Sequence, residues 1–259
     1  MSASFSESKS RDAARMALRG LWVQEPEHIE LNTVADQCGL TVVEGGLETA
    51  DGRIVAGGDN RGFIRVRSGI KSMGRRRFVI AHELGHFHLH KRQAYTDTAR
   101  ELSTYHAGSI ETEANIFGAE LLMPEFLFEP RIRGCEPSHA ILRSLAGEFS
   151  TSHLATIIQF LTYTREPCAL VYSKAATVQW TRKSGSWEWP LCDGTVHRFS
   201  GAGEFFNSGN LPKPGMIKTP AGAWIPQFSA GGEETIREDA FAWPEQQVVL
   251  SLLWVDDDL

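Results

Sequence analysis

Hydrophobic and polar positions change period several times along the chain. From residue 11 to 23, Ala14, Met16, Leu18, Leu21 and Trp22 recur at roughly helical spacing, and the polar, Ser-rich residues 1–12 before them predict a disordered tail. Ile29, Leu31, Val34, Ala35 and Cys38 predict a second helix that stops at Gly39. Leu40 to Val43 then reads as a strand. Ile54-Val55-Ala56 and Phe63-Ile64-Arg65-Val66 flank the turn-forming run Gly57-Gly58-Asp59-Asn60, which is a hairpin pattern.

The helical period returns from Arg75 to His90. A polar stretch from Lys91 to Ala107 separates it from another helix, Ile110 to Leu122, with Ala114, Phe117 and Leu121 as its buried stripe and Pro124 as its stop. Residues 138–163 predict two short helices around a turn near Ser150. After Glu166-Pro167 the pattern becomes β-like and rich in Gly and Pro, and Val248 to Val255 is the last clear strand. Six of the seven tryptophans fall between 180 and 254, as expected of a small β-rich C-terminal domain that fills its core with large aromatics.

Composition narrows the class. The chain has 259 residues, 42% of them hydrophobic and 22% charged, so it can build its core without covalent staples. Cys38, Cys135, Cys168 and Cys192 form no CxxC pair, which points to a reducing compartment and away from a cysteine-based zinc site. The N-terminus lacks the apolar stretch of a signal peptide, and no run of 18 apolar residues is long enough to span a membrane; the expected location is the cytoplasm, with no membrane partner. A formal net charge of −6 argues against wrapping nucleic acid over the whole surface.

The candidate chemistry centres on His82-Glu83-Leu84-Gly85-His86. Residues four apart on a helix share a face, so His82 and His86 can aim two imidazoles at one ion. Glu83, turned by about 100° from His82, can reach an ion-bound water without ligating the ion. A catalytic zinc site needs a third protein ligand and an open position. The helix over 110–122 offers Glu111, Glu113 and Glu120. Glu113 and Glu120 are seven apart and share a face, so helical geometry does not choose between them, and Asn115 is placed to add a hydrogen bond. His90 lies about 80° off the His82 face and about 12 Å along the axis, so a structural hydrogen-bonding role is expected for it.

Arg77-Phe78-Val79-Ile80-Ala81-His82-Glu83-Leu84-Gly85-His86-Phe87-His88-Leu89-His90 resembles the signature helix of the ImmA/IrrE family of metallopeptidases. Glu111-Thr112-Glu113-Ala114-Asn115-Ile116-Phe117-Gly118-Ala119-Glu120-Leu121-Leu122-Met123-Pro124 resembles the family's second motif, with Gly118 where alanine is usual. The resemblance covers about residues 10–165. Together with the residue pattern beyond it, this gives the expectation of an α+β chain: a mainly helical metallopeptidase domain with a small β-sheet over 13–126, a helix-turn-helix-like segment over 127–164 and, from the pattern alone, the β-rich domain over 165–259. The resemblance itself implies a metallopeptidase. It further implies Zn²⁺, with Mn²⁺ or another divalent ion as alternatives, held by His82, His86 and, before Ala-Asn, Glu113. Glu83 is then the general base, and Tyr105 or His106 from the intervening polar stretch is placed to stabilise an oxyanion.

By the same resemblance, the expected activity is regulatory endoproteolysis of a partner helix-turn-helix transcriptional repressor, releasing stress-response or mobile-element genes. Two other expectations stand beside it: a DNA- or protein-binding regulator with a structural metal site, and a toxin–antitoxin or phage-defence component. Glu83 favours the protease, because a structural site needs no general base. Leu145 to Leu154 resembles the first helix and turn of a helix-turn-helix, but the following helix, to Phe160, has no Lys or Arg, which argues against direct DNA binding. Arg75-Arg76-Arg77 sits at a helix start, where positive charge opposes the dipole, so pairing with nearby acids is expected.

Overall fold

A computed structural model describes residues 3–56, 61–90 and 110–256. The chain divides into two compact units, one of residues 1–128 and 146–155, the other of residues 129–145 and 156–259. Both mix helices with a sheet, so the chain is α+β with a β-rich C-terminal region.

In the first unit, helix α1 (Ala3–Ala17) occupies the segment whose composition predicts a disordered tail. Tertiary partners override local polarity here. Ser6 donates a hydrogen bond to Glu113, and Arg11 and Arg15 reach the buried Glu120. The helix also ends earlier than its apolar spacing predicts, because Trp22 is exposed and stacks on His28 instead of entering the core.

Helix α2 (Leu31–Gln37) buries Leu31, Val34 and Ala35 and leads into strand β1 (Leu40–Gly45). Strands β2 (Gly52–Ala56) and β3 (Gly62–Arg67) pair antiparallel, as the hairpin pattern predicts. β1 runs parallel to β3 on its other side, giving the order β1-β3-β2. Ile54, Ile64 and Val66 are buried, while Arg53, Val55 and Arg65 are exposed, the alternation of a sheet covered on one side.

Helix α3 (Met73–Leu89) begins at Ser72, whose hydroxyl accepts from Arg75 N at 3.3 Å. Two of the three arginines at its start are paired with carboxylates, and the third bonds a backbone carbonyl. Arg75 reaches Asp51 at 2.5 Å, Arg76 reaches Glu44 at 3.0 Å, and Arg77 donates to the carbonyl of Ile29. Helix α4 (Ile110–Leu122) crosses α3 closely. A Cβ at Gly85 would lie 3.0 Å from Ala114 Cα, and one at Gly118 would lie 3.2 Å from His82 N. Gly118 therefore does more than loosen its helix: it lets α4 approach the backbone that carries His82.

Helices α5 (Glu125–Ile132), α6 (His139–Glu148) and α7 (His153–Tyr163) follow, each contributing residues to both units. Ser150, at the turn between α6 and α7, has φ of 51°. The tight turn packs on α3, where a Cβ at Gly74 would meet Thr151 C at 2.7 Å.

The second unit is built on an antiparallel sheet of β4 (Cys168–Lys174), β5 (Thr177–Lys183), β6 (Ile217–Pro220), β7 (Thr235–Trp243) and β8 (Val248–Trp254), in the order β5-β4-β8-β7-β6. Central β8 is an almost continuous buried apolar run, whereas edge strand β5 alternates exposed and half-buried residues. Helix α8 (Gly201–Ser208) packs through Ala202 and Phe205 on a core that includes Trp187, Trp224, Val171 and Leu253. At its centre lies the buried carboxylate of Glu238. It accepts from Gly201 N (2.9 Å), Ala202 N (3.3 Å), Thr219 Oγ1 (3.1 Å), Trp224 Nε1 (3.1 Å) and Ser251 Oγ (2.9 Å).

Candidate metal centre

Helical spacing places His82 and His86 one turn apart on α3, and their Nε2 atoms stand 3.0 Å from each other. His86 is buried and His82 partly so. The carboxylate of Glu111, half-exposed on the first turn of α4, lies 3.3 Å from His82 Nε2 through one oxygen and 3.5 Å from His86 Nε2 through the other. These three are the group of side chains among the described residues placed to hold one metal ion.

The third carboxylate at the histidines is thus Glu111, and Glu113 is placed elsewhere. Glu113 Oε2 lies 3.4 Å from His90 Nε2, and its other oxygen accepts from Ser6. Glu120 is fully buried, salt-bridged to Arg15 at 2.8 Å and Arg11 at 3.7 Å, and accepts from Glu125 N at 3.1 Å. The reason lies in which stripe of α4 faces α3. Glu111, Ala114, Asn115 and Gly118 follow the spacing i, i+3, i+4, i+7 and so form one face. Ala114 and Gly118 are the close-contact residues of the crossing, and Asn115 reaches His82. Glu113 and Glu120 do share a face, as their spacing requires, but that face meets α1. The small residues Ala114 and Gly118 are a signal in the sequence that marks the crossing face and, with it, Glu111.

Electrostatics reflect this arrangement. Hydrogen bonds from His82 and His86 hold the Glu111 carboxyl well below the usual carboxylate range. Burial alone would lower the His82 pKa, but Glu111, the charge of Glu83 and Asn115 outweigh it and leave it raised. Two imidazole nitrogens and a carboxylate converge on one point, an arrangement completed by a proton or a cation.

Two imidazoles and a carboxylate suit zinc and several other divalent ions. The outer contact fits as well. Asn115 Oδ1 lies 2.9 Å from His82 Nδ1. An amide oxygen accepts there, so Nδ1 carries a proton and Nε2 is the nitrogen that faces His86 and Glu111, donating to Glu111 when protonated and offering its lone pair to an ion when neutral.

Glu83 is buried. A Cβ at Gly52 on β2 would lie 2.8 Å from Glu83 Oε1 and 2.5 Å from Val79 Cγ1, so glycine at 52 makes room for the carboxylate. Nothing in the periodicity of β2 marks that role. Tyr105 and His106 lie outside the described residues. Further along α3, His88 stacks on Phe117 of α4, and its Nε2 lies 3.3 Å from Cys38 Sγ.

Residues 35–155 match the family model described as Peptidase_M78, the IrrE N-terminal-like domain. A stretch of 65 residues, 25% of this chain, is 38% identical to "Uncharacterized immunity region protein 2" of Bacillus phage phi105, and the match spans 40% of that protein's length. Among solved structures, the fold is similar to a Mycobacterium tuberculosis transcriptional regulator, with a TM-score of 0.61 at 17% identity over 95% of this chain and 86% of that one. No helix among the described residues is long and apolar enough to cross a membrane.

Proposed function

We propose, from the match of residues 35–155 to the Peptidase_M78 family model, that the chain is a metal-dependent endopeptidase acting on a helix-turn-helix transcriptional repressor. The observation that carries the reading is the convergence of His82, His86 and Glu111 beside the buried Glu83. His82, His86 and Glu111 are the proposed ligands of Zn²⁺ or another divalent ion. Such an ion, when bound, supplies Lewis acidity that activates a water and stabilises oxyanion charge.

The chain's own residues supply the rest. Glu83 takes the proton of the attacking water and delivers it to the leaving amine, so the same carboxylate serves as base and then acid. Gly52, through its missing side chain, leaves room for that carboxylate. Asn115 orients His82. The crossing at Gly85 and Gly118 fixes Glu111 relative to the two histidines, and preorganisation of this kind is what such sites depend on. Tyr105 and His106 remain the proposed oxyanion stabilisers.

A regulatory protein substrate is supported by the family and by the likeness to a phage immunity-region protein. α7 carries no Lys or Arg, which favours a protein over DNA as the partner. Release of stress-response or mobile-element genes is the proposed outcome of cleavage.

The test is to incubate the purified chain with the helix-turn-helix repressor encoded nearest to it. Mass spectrometry should find one defined fragment with added zinc or manganese, and none with a chelator or with Glu83→Gln. A fragment that persists with Glu83→Gln would remove the mechanism.

A further inference from the structure

The three-stranded sheet of the first unit has one covered face and one open face. Ile54, Ile64 and Val66 are buried on the covered side, and strand alternation sends Arg53, Val55, Phe63 and Arg65 to the other. Register sorts the open face into two rows. Thr41, Phe63 and Val55 lie side by side in one, and Val43, Arg65 and Arg53 in the next. Val55 is 45% exposed, and both arginines are exposed. This face is turned away from Glu83, since it is the Gly52 side of β2 that meets that carboxylate.

Arg53 and Arg65 stand directly opposite each other, and like charges so placed destabilise a strand pair. Among the described residues neither is in an ion pair. Asp51, at the end of the face, is held by Arg67 and Arg75, each at 2.5 Å, and Glu44 is held by Arg76. Glu48, exposed in the loop before β2, offsets one charge at most. The surplus is local: residues 41–76 carry seven Lys and Arg against four Asp and Glu, in a chain of formal net charge −6. A positive surplus that the fold leaves standing, beside an apolar row, marks a surface for a partner.

The Phe63 ring narrows the kind of partner. The Arg65 guanidinium lies over it, 5.4 Å from the centroid, so a guanidinium already occupies the place where a base of single-stranded nucleic acid would stack on a sheet. The acidic remainder of the chain also repels a polyanion longer than the patch. Carboxylates match guanidinium groups, and a helix with an apolar stripe is the usual cover of a sheet face. We infer that this open face docks an acidic amphipathic helix of a partner protein, its apolar stripe on Val55 and Phe63 and its carboxylates on Arg53 and Arg65. The inference does not depend on the peptidase reading.

Fluorescence anisotropy of labelled probes with the full chain tests this. The probe is a synthetic helical peptide of about four turns with Glu and Leu on one face. Its controls carry Lys for Glu or Ala for Leu, and a single-stranded oligonucleotide is the third. Saturable binding of the Glu–Leu peptide is expected, weakened by added salt. The Ala-for-Leu peptide should bind about fivefold more weakly. Arg53→Gln together with Arg65→Gln should weaken binding about tenfold or more. Removing two like charges that face each other should not lower the melting temperature, and each substitution is also made alone. Arg198→Gln, which removes another exposed arginine lying over a phenylalanine ring but in the second unit, should leave binding unchanged. No saturable binding of the Glu–Leu peptide would overturn the inference. So would equal binding of the Lys peptide, undiminished binding by the double variant, equal loss in Arg198→Gln, or tighter binding of the oligonucleotide.

Discussion

The two units each hold a carboxylate among polar groups, and they do so in opposite ways. Around Glu238 in the C-terminal unit, five donors converge on one carboxylate, so its acceptor sites are filled from within the protein. At Glu111, the carboxylate faces two imidazole nitrogens that stand 3.0 Å from each other, so electron-pair donors face electron-pair donors. The first arrangement is closed and structural. The second is complete only when a proton or a cation joins it. A buried polar cluster is therefore read by which sign is left over, not by its burial.

The sharpest way to break the contrast is at Glu238. Glu238→Ala should destabilise the protein by at least about 3 kcal/mol, since each stranded buried donor costs about 1–3 kcal/mol. The urea midpoint checks this, and an unchanged midpoint would mean that the cluster is not what holds α8. The next largest effect is expected at the metal centre. Glu111→Ala should weaken zinc binding by more than about 100-fold, beyond the 10–100-fold typical of groups one contact removed from the metal. Glu113→Ala should retain zinc binding, so chelator competition on the pair separates the two glutamates directly.

Asn115→Ala should cost about tenfold in zinc affinity, because it frees the His82 ring without removing a ligand. Its circular dichroism should stay that of the parent. The smallest effect concerns His139 of the C-terminal unit. Its backbone N–H donates to Asp239 at 2.8 Å, and its Nε2 lies 3.2 Å from the Leu250 carbonyl. Burial pushes its pKa below the ordinary 6.5, Arg143 adds to that, and Asp239 and the Leu250 carbonyl oppose it. The unfolded chain then binds the proton more readily. Stability should fall as pH drops below about 6.5 and stop falling below the folded pKa, with a slope of at most about 1.4 kcal/mol per pH unit. His139→Gln should flatten that part of the profile, as thermal melts at pH 7 and pH 5 would show.

How much of this was legible in the chain depends on the range of the forces involved. The hairpin of β2 and β3, the α3 and α4 helices, the turn at Ser150 and the β-rich C-terminal region follow from local periodicity, and each is present. The pairing of Arg75 and Arg76 with acids follows from their place at a helix start, although periodicity does not name Asp51 and Glu44 as the partners. The first half of helix α1, residues 3–10, was not legible, whereas residues 11–17 carry the helical spacing. The residues of that first half are mostly polar, and what orders the helix is the α4 face carrying Glu113 and Glu120, more than a hundred residues away in sequence. Gly52 was silent for the same reason: its role is to leave space for Glu83, and an absence of atoms has no period.

The sequence by itself determined that His82 and His86 share a face with Glu83 beside them, because that follows from 3.6 residues per turn and needs no partner. It also determined that the third ligand, if α4 supplies it, is one of three glutamates. Only the tertiary structure chose Glu111. A helix carries all its faces in its sequence, but which face meets which neighbour is decided by close packing. Here Gly85, Ala114 and Gly118 let α3 and α4 approach, turning Glu111 and Asn115 towards the histidines and leaving Glu113 and Glu120 to hold α1.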